Sequence, residues 1–98
     1  MATLFIGVWD NANEVLFGAP IQETTITVSG TSAQSSAVSG SNKEMRRVRL
    51  FSDTDCFVTW GSDPTALNNG AAGMPMGAEN PEVIGIEAGH LIAVIERS

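Results

Sequence analysis

The sequence predicts an all-β chain, a small antiparallel β-sandwich or jelly roll of about eight short strands. Three observations carry that expectation. Apolar and polar residues alternate with a period of two, the alternating runs are rich in β-branched residues, and clusters of Gly, Pro, Asn and Asp interrupt them at short intervals. Helical spacing of apolar positions is nowhere sustained without a glycine or proline. The length of 98 residues suits one domain, spanning 1–98.

The N-terminal run TLFIGVW reads as a strand with Phe5 and Trp9 on one face and Leu4, Ile6 and Val8 on the other. Being apolar on both faces, it needs cover on both. Residues 1–22 are therefore expected to form framework strands, with a turn at Asp10 to Asn13 and DNANEVLFGAP supplying the second, or to reach as an arm to a neighbouring subunit. ETTITVS is a half-buried strand, with Thr24, Ile26 and Val28 opposed to Thr25, Thr27 and Ser29. The next segment, Ser29 to Glu44, has the composition of a Gly/Ser-rich linker. Its centre, SAQSSAV, holds enough small and apolar residues between glycine turns to favour a short edge strand.

In MRRVRLFS, Val48 and Leu50 oppose Arg47 and Arg49, and in DCFVTWG, Cys56, Val58 and Trp60 oppose Phe57 and Thr59. Ser52 to Asp55 turns the chain between these two strands. Residues 63–81 carry Pro64, Asn68, Asn69, Gly70, Gly73, Pro75 and Pro81, so a long loop is expected, with MPM adding a brief edge pairing. PEVIGIE and HLIAVIE are apolar on both faces, as strands covered from two sides should be. IEAGHLI between them reads as a tight hairpin, with Gly89 supplying a positive φ and the two arms pairing antiparallel.

Composition limits the chemistry. A net charge of −6 argues against a nucleic-acid binder, which needs clustered cations over a broad face. Four of the five basic residues, Lys43, Arg46, Arg47 and Arg49, do fall in one short stretch. The single cysteine cannot form an internal disulfide, and no apolar run is long enough to span a bilayer, so a soluble, unprocessed protein is expected. One cysteine and one histidine are too few for a zinc or iron centre. Asp53, Asp55 and Asp63 match no calcium-loop spacing and read as turn residues. Cys56 lies on an inward face and His90 in a turn, so neither reads as a catalytic group. No enzyme activity and no cofactor are expected.

Arg47 and Arg49 project from one face of a strand. They are placed either to balance glutamates on neighbouring strands or to meet carboxylates on a partner. The apolar contact candidates are Leu4, Phe5 and Trp9, with Met74 and Met76 weaker ones.

From about Glu23 to Glu96 the chain resembles small virion proteins of tailed bacteriophages. The resemblance rests on Thr27 to Ser35, the VRL strand Val48 to Leu50, DCFVTWG at Asp55 to Gly61, DPTA at Asp63 to Ala66, GMPM at Gly73 to Met76 and the closing segment Pro81 to Ile95. It implies a capsid decoration, or cement, protein. Such a protein binds the major capsid protein outside the phage head and bridges its subunits, forms a homo-oligomer with a trimer favoured, touches no nucleic acid or membrane, and folds in the host cytoplasm before joining the virion. The same resemblance leaves open a head-tail adaptor, a head-fibre base or a tail protein. A carbohydrate- or ligand-binding sandwich, with Trp9 or Trp60 stacking on a sugar, is the alternative from outside the virion.

Overall fold

The computed structural model describes residues 2–9, 22–38, 40, 44–67 and 73–97. Eight strands follow one another: β1 (Ala2–Trp9), β2 (Gln22–Val28), β3 (Ala33–Gln34), β4 (Met45–Ser52), β5 (Cys56–Gly61), β6 (Met74–Met76), β7 (Glu82–Glu87) and β8 (Leu91–Glu96). They form two four-stranded antiparallel sheets packed face to face, with the order β2-β1-β4-β7 in sheet A and β3-β8-β5-β6 in sheet B. The predicted all-β sandwich is the observed fold.

The strand order is that of a jelly roll with its ends moved. Counting from β2 and placing β1 last, the sheets read 1-8-3-6 and 2-7-4-5, the interleaved order that two Greek keys produce. In this chain the strand that would close the roll comes first.

Period-two alternation explains the core. Leu4, Ile6 and Val8 of β1, Ile26 and Val28 of β2, Val48 and Leu50 of β4 and Ile86 of β7 point from sheet A into the gap between the sheets. They meet Cys56 and Val58 of β5, Met76 of β6 and Ile92 and Val94 of β8, with Val38 closing one end. Trp60 and Met74 pack against this cluster half-buried. Each fully buried leucine or isoleucine contributes about 1.5–3 kcal/mol relative to leaving it exposed.

β1 pairs with β2 on one side and with β4 on the other, in the rows Gly7↔Glu23 and Gly7↔Arg49. Residues 2–9 therefore form a central strand of sheet A, between β2 and β4. The second strand and turn expected in residues 10–20 lie outside the described residues. The short edge strand expected within SAQSSAV is β3, and the brief pairing expected of MPM is β6 against β5.

The closing hairpin is a correction. β7 pairs with β4 in sheet A and β8 with β5 in sheet B, so the Ala88–His90 corner carries the chain from one sheet to the other. Backbone bonds hold that corner on both sides: Ala88 N to Glu44 O at 2.6 Å, Gly89 N to Val38 O at 2.9 Å and Val38 N to His90 O at 2.8 Å. Gly89 does take the expected positive φ, 92°, which a residue with a Cβ adopts only under strain. Sequence pattern alone does not separate a hairpin from such an arch, because both need a tight turn between apolar strands.

The turn at Ser52 to Asp55 also changes sheets. Ser52 is fully buried, and its Oγ donates to Thr54 O at 2.7 Å and accepts from Thr54 N at 3.2 Å. Asp53 Oδ1 accepts from Thr3 N and Asp55 Oδ1 from Ala78 N, both at 2.8 Å. The acids of this turn thus tie it to neighbouring strands.

Candidate docking face on sheet A

The two sheets differ on their outer sides. On sheet B, Ala93 and Ile95 of β8 are buried although they point away from the core, together with Ala66 and the half-buried Phe57. The cover is the loop after β5. Gln34 Nε2 donates to Asp63 Oδ1 at 3.0 Å and to Pro64 O at 2.7 Å, and Ala66 N donates to Ser32 Oγ at 2.9 Å, which straps the loop across the sheet. Arg97 adds its guanidinium 5.7 Å from the Phe57 ring centre. β8 is therefore covered from both sides, as its sequence requires. β7 is not: Val83 is 56% exposed and Gly85 is exposed, because β7 is an edge strand with no loop over its outer face among the described residues.

Register builds the outer face of sheet A row by row. One row is Thr25, Phe5 and Phe51; the next is Glu23, Gly7, Arg49 and Val83; the third sets Trp9 beside Arg47 and Gly85. Phe5 and Phe51 meet at 6.2 Å between ring centres, tilted by 51°, and the Arg49 guanidinium stands 6.0 Å from the Phe51 ring centre. Such a cation–π contact contributes about 0.5–1 kcal/mol at an exposed site. Trp9 sets its six-membered ring over Gly7, where a Cβ would stand 2.8 Å from Cζ3. Met45 similarly reaches over Gly85, to 3.4 Å from the place of a Cβ. Glycine at these two positions lets large side chains lie low on the sheet.

The result is a broad apolar face set with guanidinium groups. Phe5, Met45 and Val83 are 46%, 54% and 56% exposed. A groove of about 500 Å³ runs between Phe5 and Trp9, with Glu23, Thr25 and Arg49 around it. A smaller depression of about 200 Å³ lies between Trp9, Arg47, Arg49 and Val83. In register, Arg49 stands between Gly7 and Val83, and Arg47 between Trp9 and Gly85.

The structure brings four of the expected contact residues together and removes three. Phe5, Trp9, Arg47 and Arg49 share this face. Leu4 is wholly buried in the core, Met76 is buried there beside Cys56 of β5, and Met74 packs half-buried against the same core. Alternation decides all three cases, since Leu4 has the opposite parity to Phe5. Met45, Phe51 and Val83 are members of the face that sequence reading passed over. Their parity with Arg47 and Arg49, or their place on a two-sided apolar strand, is the signal that was there.

The remaining candidates have structural work. Cys56 is buried, and burial pushes its thiol above the ordinary value, a Ser52 hydrogen bond and Arg97 acting in the opposite direction and Asp55 adding to the rise. Such a thiol is a poor nucleophile at neutral pH. His90 Nε2 lies 2.9 Å from Glu87 Oε2. Asp55 pairs with Arg97 at 3.5 Å. Arg46 points inward at the end of the core, 8% exposed, and pairs with Glu44 at 3.2 Å. Among the described residues no group of three histidine, cysteine or acidic side chains is arranged to hold a metal, and no helix is long and apolar enough to cross a membrane.

Comparison with protein-family models, with curated proteins and with solved structures yields no match in any of the three.

Proposed function

We propose that this chain is a structural docking module that attaches to a larger assembly through the outer face of sheet A. The assembly implied by the sequence resemblance is a phage head, with the chain as a decoration protein on the major capsid protein. The observation that carries the reading is the outer-face cluster of Phe5, Phe51, Trp9, Arg49 and Val83, with Phe5, Arg49 and Val83 exposed, on a sheet whose opposite neighbour has its outer apolar residues strapped by a loop. Aromatic and arginine side chains are the residues most enriched at the energetic centres of protein interfaces. Interlocked sheets supply the rigidity such a role needs, and binding to several shell subunits at once multiplies weak contacts.

Mass spectrometry of purified virions and cryo-electron microscopy of the particle test this directly. The expected result is copies on the head surface with sheet A turned toward the shell. Copies found only in the tail, or on the head with sheet A facing solvent, overturn it. A paired substitution, Phe5→Ser with Arg49→Ser, is expected to release the protein from particles while leaving it folded.

The groove between Phe5 and Trp9 supports a second reading, a glycan site. An aromatic platform flanked by Glu23 and Arg49 offers both stacking and paired hydrogen bonds to hydroxyl groups. Quenching or enhancement of tryptophan emission on titration with an oligosaccharide panel, lost in Trp9→Phe, would favour it over the shell.

A further inference from the structure

We propose that β7 joins two copies of this chain, antiparallel across a two-fold axis at Gly85, so that their A sheets become one continuous sheet. The inference starts from the four sheet edges. β3 ends sheet B with only two residues, and the chain beyond it stays bonded to β8 through Ser35 N and Ile92 O at 2.7 Å. β6 ends the other side with three residues centred on Pro75, which has no N–H to donate. β2 packs onto β3 and β8 at the side of the sandwich, and the Gln22 side chain donates to Ala37 O at 3.1 Å across that side. β7 has no such protection from any described residue. It runs for six residues with no proline and no charge between Glu82 and Glu87, and no strand among the described residues lies beyond it.

Every second residue of an edge strand turns its N–H and C=O away from its one neighbour, and a flat edge without charges or bulges is a template for another strand. The two most exposed large apolar residues among those described, Val83 and Met45, at 56% and 54%, both lie at this side of the sheet. β7's own sequence is the complementary one. An antiparallel pair centred on Gly85 sets Ile84 against Ile86 on the core side and Val83 against Glu87 on the outer side. The isoleucines of the two copies then extend one apolar floor.

Charge also fits this register. Arg49 is the β4 neighbour of Val83, so Glu87 of the second copy enters the row that holds Arg49. The 200 Å³ depression beside Trp9, Arg47, Arg49 and Val83 opens at that point. Glu82 falls opposite Ala88, so no two acids meet across the strands, and the two Arg47 side chains are kept apart by the two glycines.

Sedimentation equilibrium of the full chain from micromolar to millimolar concentration tests the pairing. The expected species is a dimer. Val83→Glu places an acid against Glu87 twice per dimer, so association is expected to weaken roughly tenfold or more. Val83→Lys, which faces the same Glu87 with a cation, should leave the dimer intact, and Val83→Glu combined with Glu87→Lys should restore it. Since Val83 is exposed, the two single variants are expected to melt at close to the parent temperature when compared at concentrations too low for association. A monomer at every concentration, a trimer, a dimer indifferent to Val83→Glu, or equal loss in Val83→Lys overturns the proposal. Particle attachment is a separate measurement, so either reading can fail alone.

Discussion

The outer sides of the two sheets begin from the same material and end differently. Each carries apolar side chains pointing away from the core, Ala93, Ile95 and Phe57 on sheet B and Phe5, Phe51, Val83 and Met45 on sheet A. On sheet B the residues after β5 fold back, pinned by Gln34 and Ser32, and bury that row within the chain. Sheet A has no described strap, and it is the face where aromatics, arginines and two grooves coincide. The contrast teaches that two-sided apolarity of a strand does not name its cover. A loop of the same chain satisfies it in one sheet; in the other no described residue does, and the cover proposed for it is a docking partner.

Substitutions at adjacent positions separate inside from outside most sharply. Leu4→Ala, in the core, is expected to lower stability by about 2–5 kcal/mol, read from urea or thermal unfolding. If its cost is no larger than that of a surface change, the assignment of β1 faces is wrong. Phe57→Ala should cost about 2 kcal/mol, less than a fully buried phenylalanine, because the ring is only half-buried under the strap. Gln34→Ala, which cuts the two bonds holding the strap, should cost about 1 kcal/mol and raise protease sensitivity near Leu67. On sheet A, Phe5→Ala is expected to change stability by less than about 1 kcal/mol while abolishing the proposed attachment to particles. Equal stability losses for Phe57→Ala and Phe5→Ala would erase the distinction between the two faces.

Cys56 gives a pH test of the inner side. Its pKa is raised in the folded protein, so the folded state holds the thiol proton more tightly than the unfolded chain does. The contribution is fully present below the ordinary value of 9.0 and is lost as pH rises through the folded value. Cys56→Ser should therefore flatten the alkaline decline in stability that begins near that pH, and alkylation of the native protein should be slow until unfolding.

Much of this architecture was legible in the sequence, for reasons that can be located. Period-two alternation fixes which side of a strand each residue takes, and so it correctly paired Phe5 with Trp9 and Arg47 with Arg49. Composition fixed the class, because glycine and proline recur too often for helices. Partner choice was not legible. Whether β7 returns beside β8 or crosses to the other sheet depends on contacts of the Ala88–His90 corner with Glu44 and Val38, residues far away in sequence. The same holds for the strap, since nothing in DPTA indicates that Ser32 and Gln34 will hold it. Leu4 and Met76 were misjudged for a simpler reason: large apolar residues suit an interface and a core equally well, and only parity tells them apart.

The front-placed closing strand has a consequence for how this protein can be joined to others. Ala2 sits opposite Val28, and Glu96 donates its N–H to Ser29 O at 2.8 Å, so the first and last strands meet at one corner of the sandwich. The points where the backbone enters and leaves are thus roughly 10 Å apart, about two strand spacings. Spliced into an exposed turn of a host protein, the whole sandwich would need that turn to open by only this distance. Short connectors at this one corner would therefore suffice to carry the sandwich.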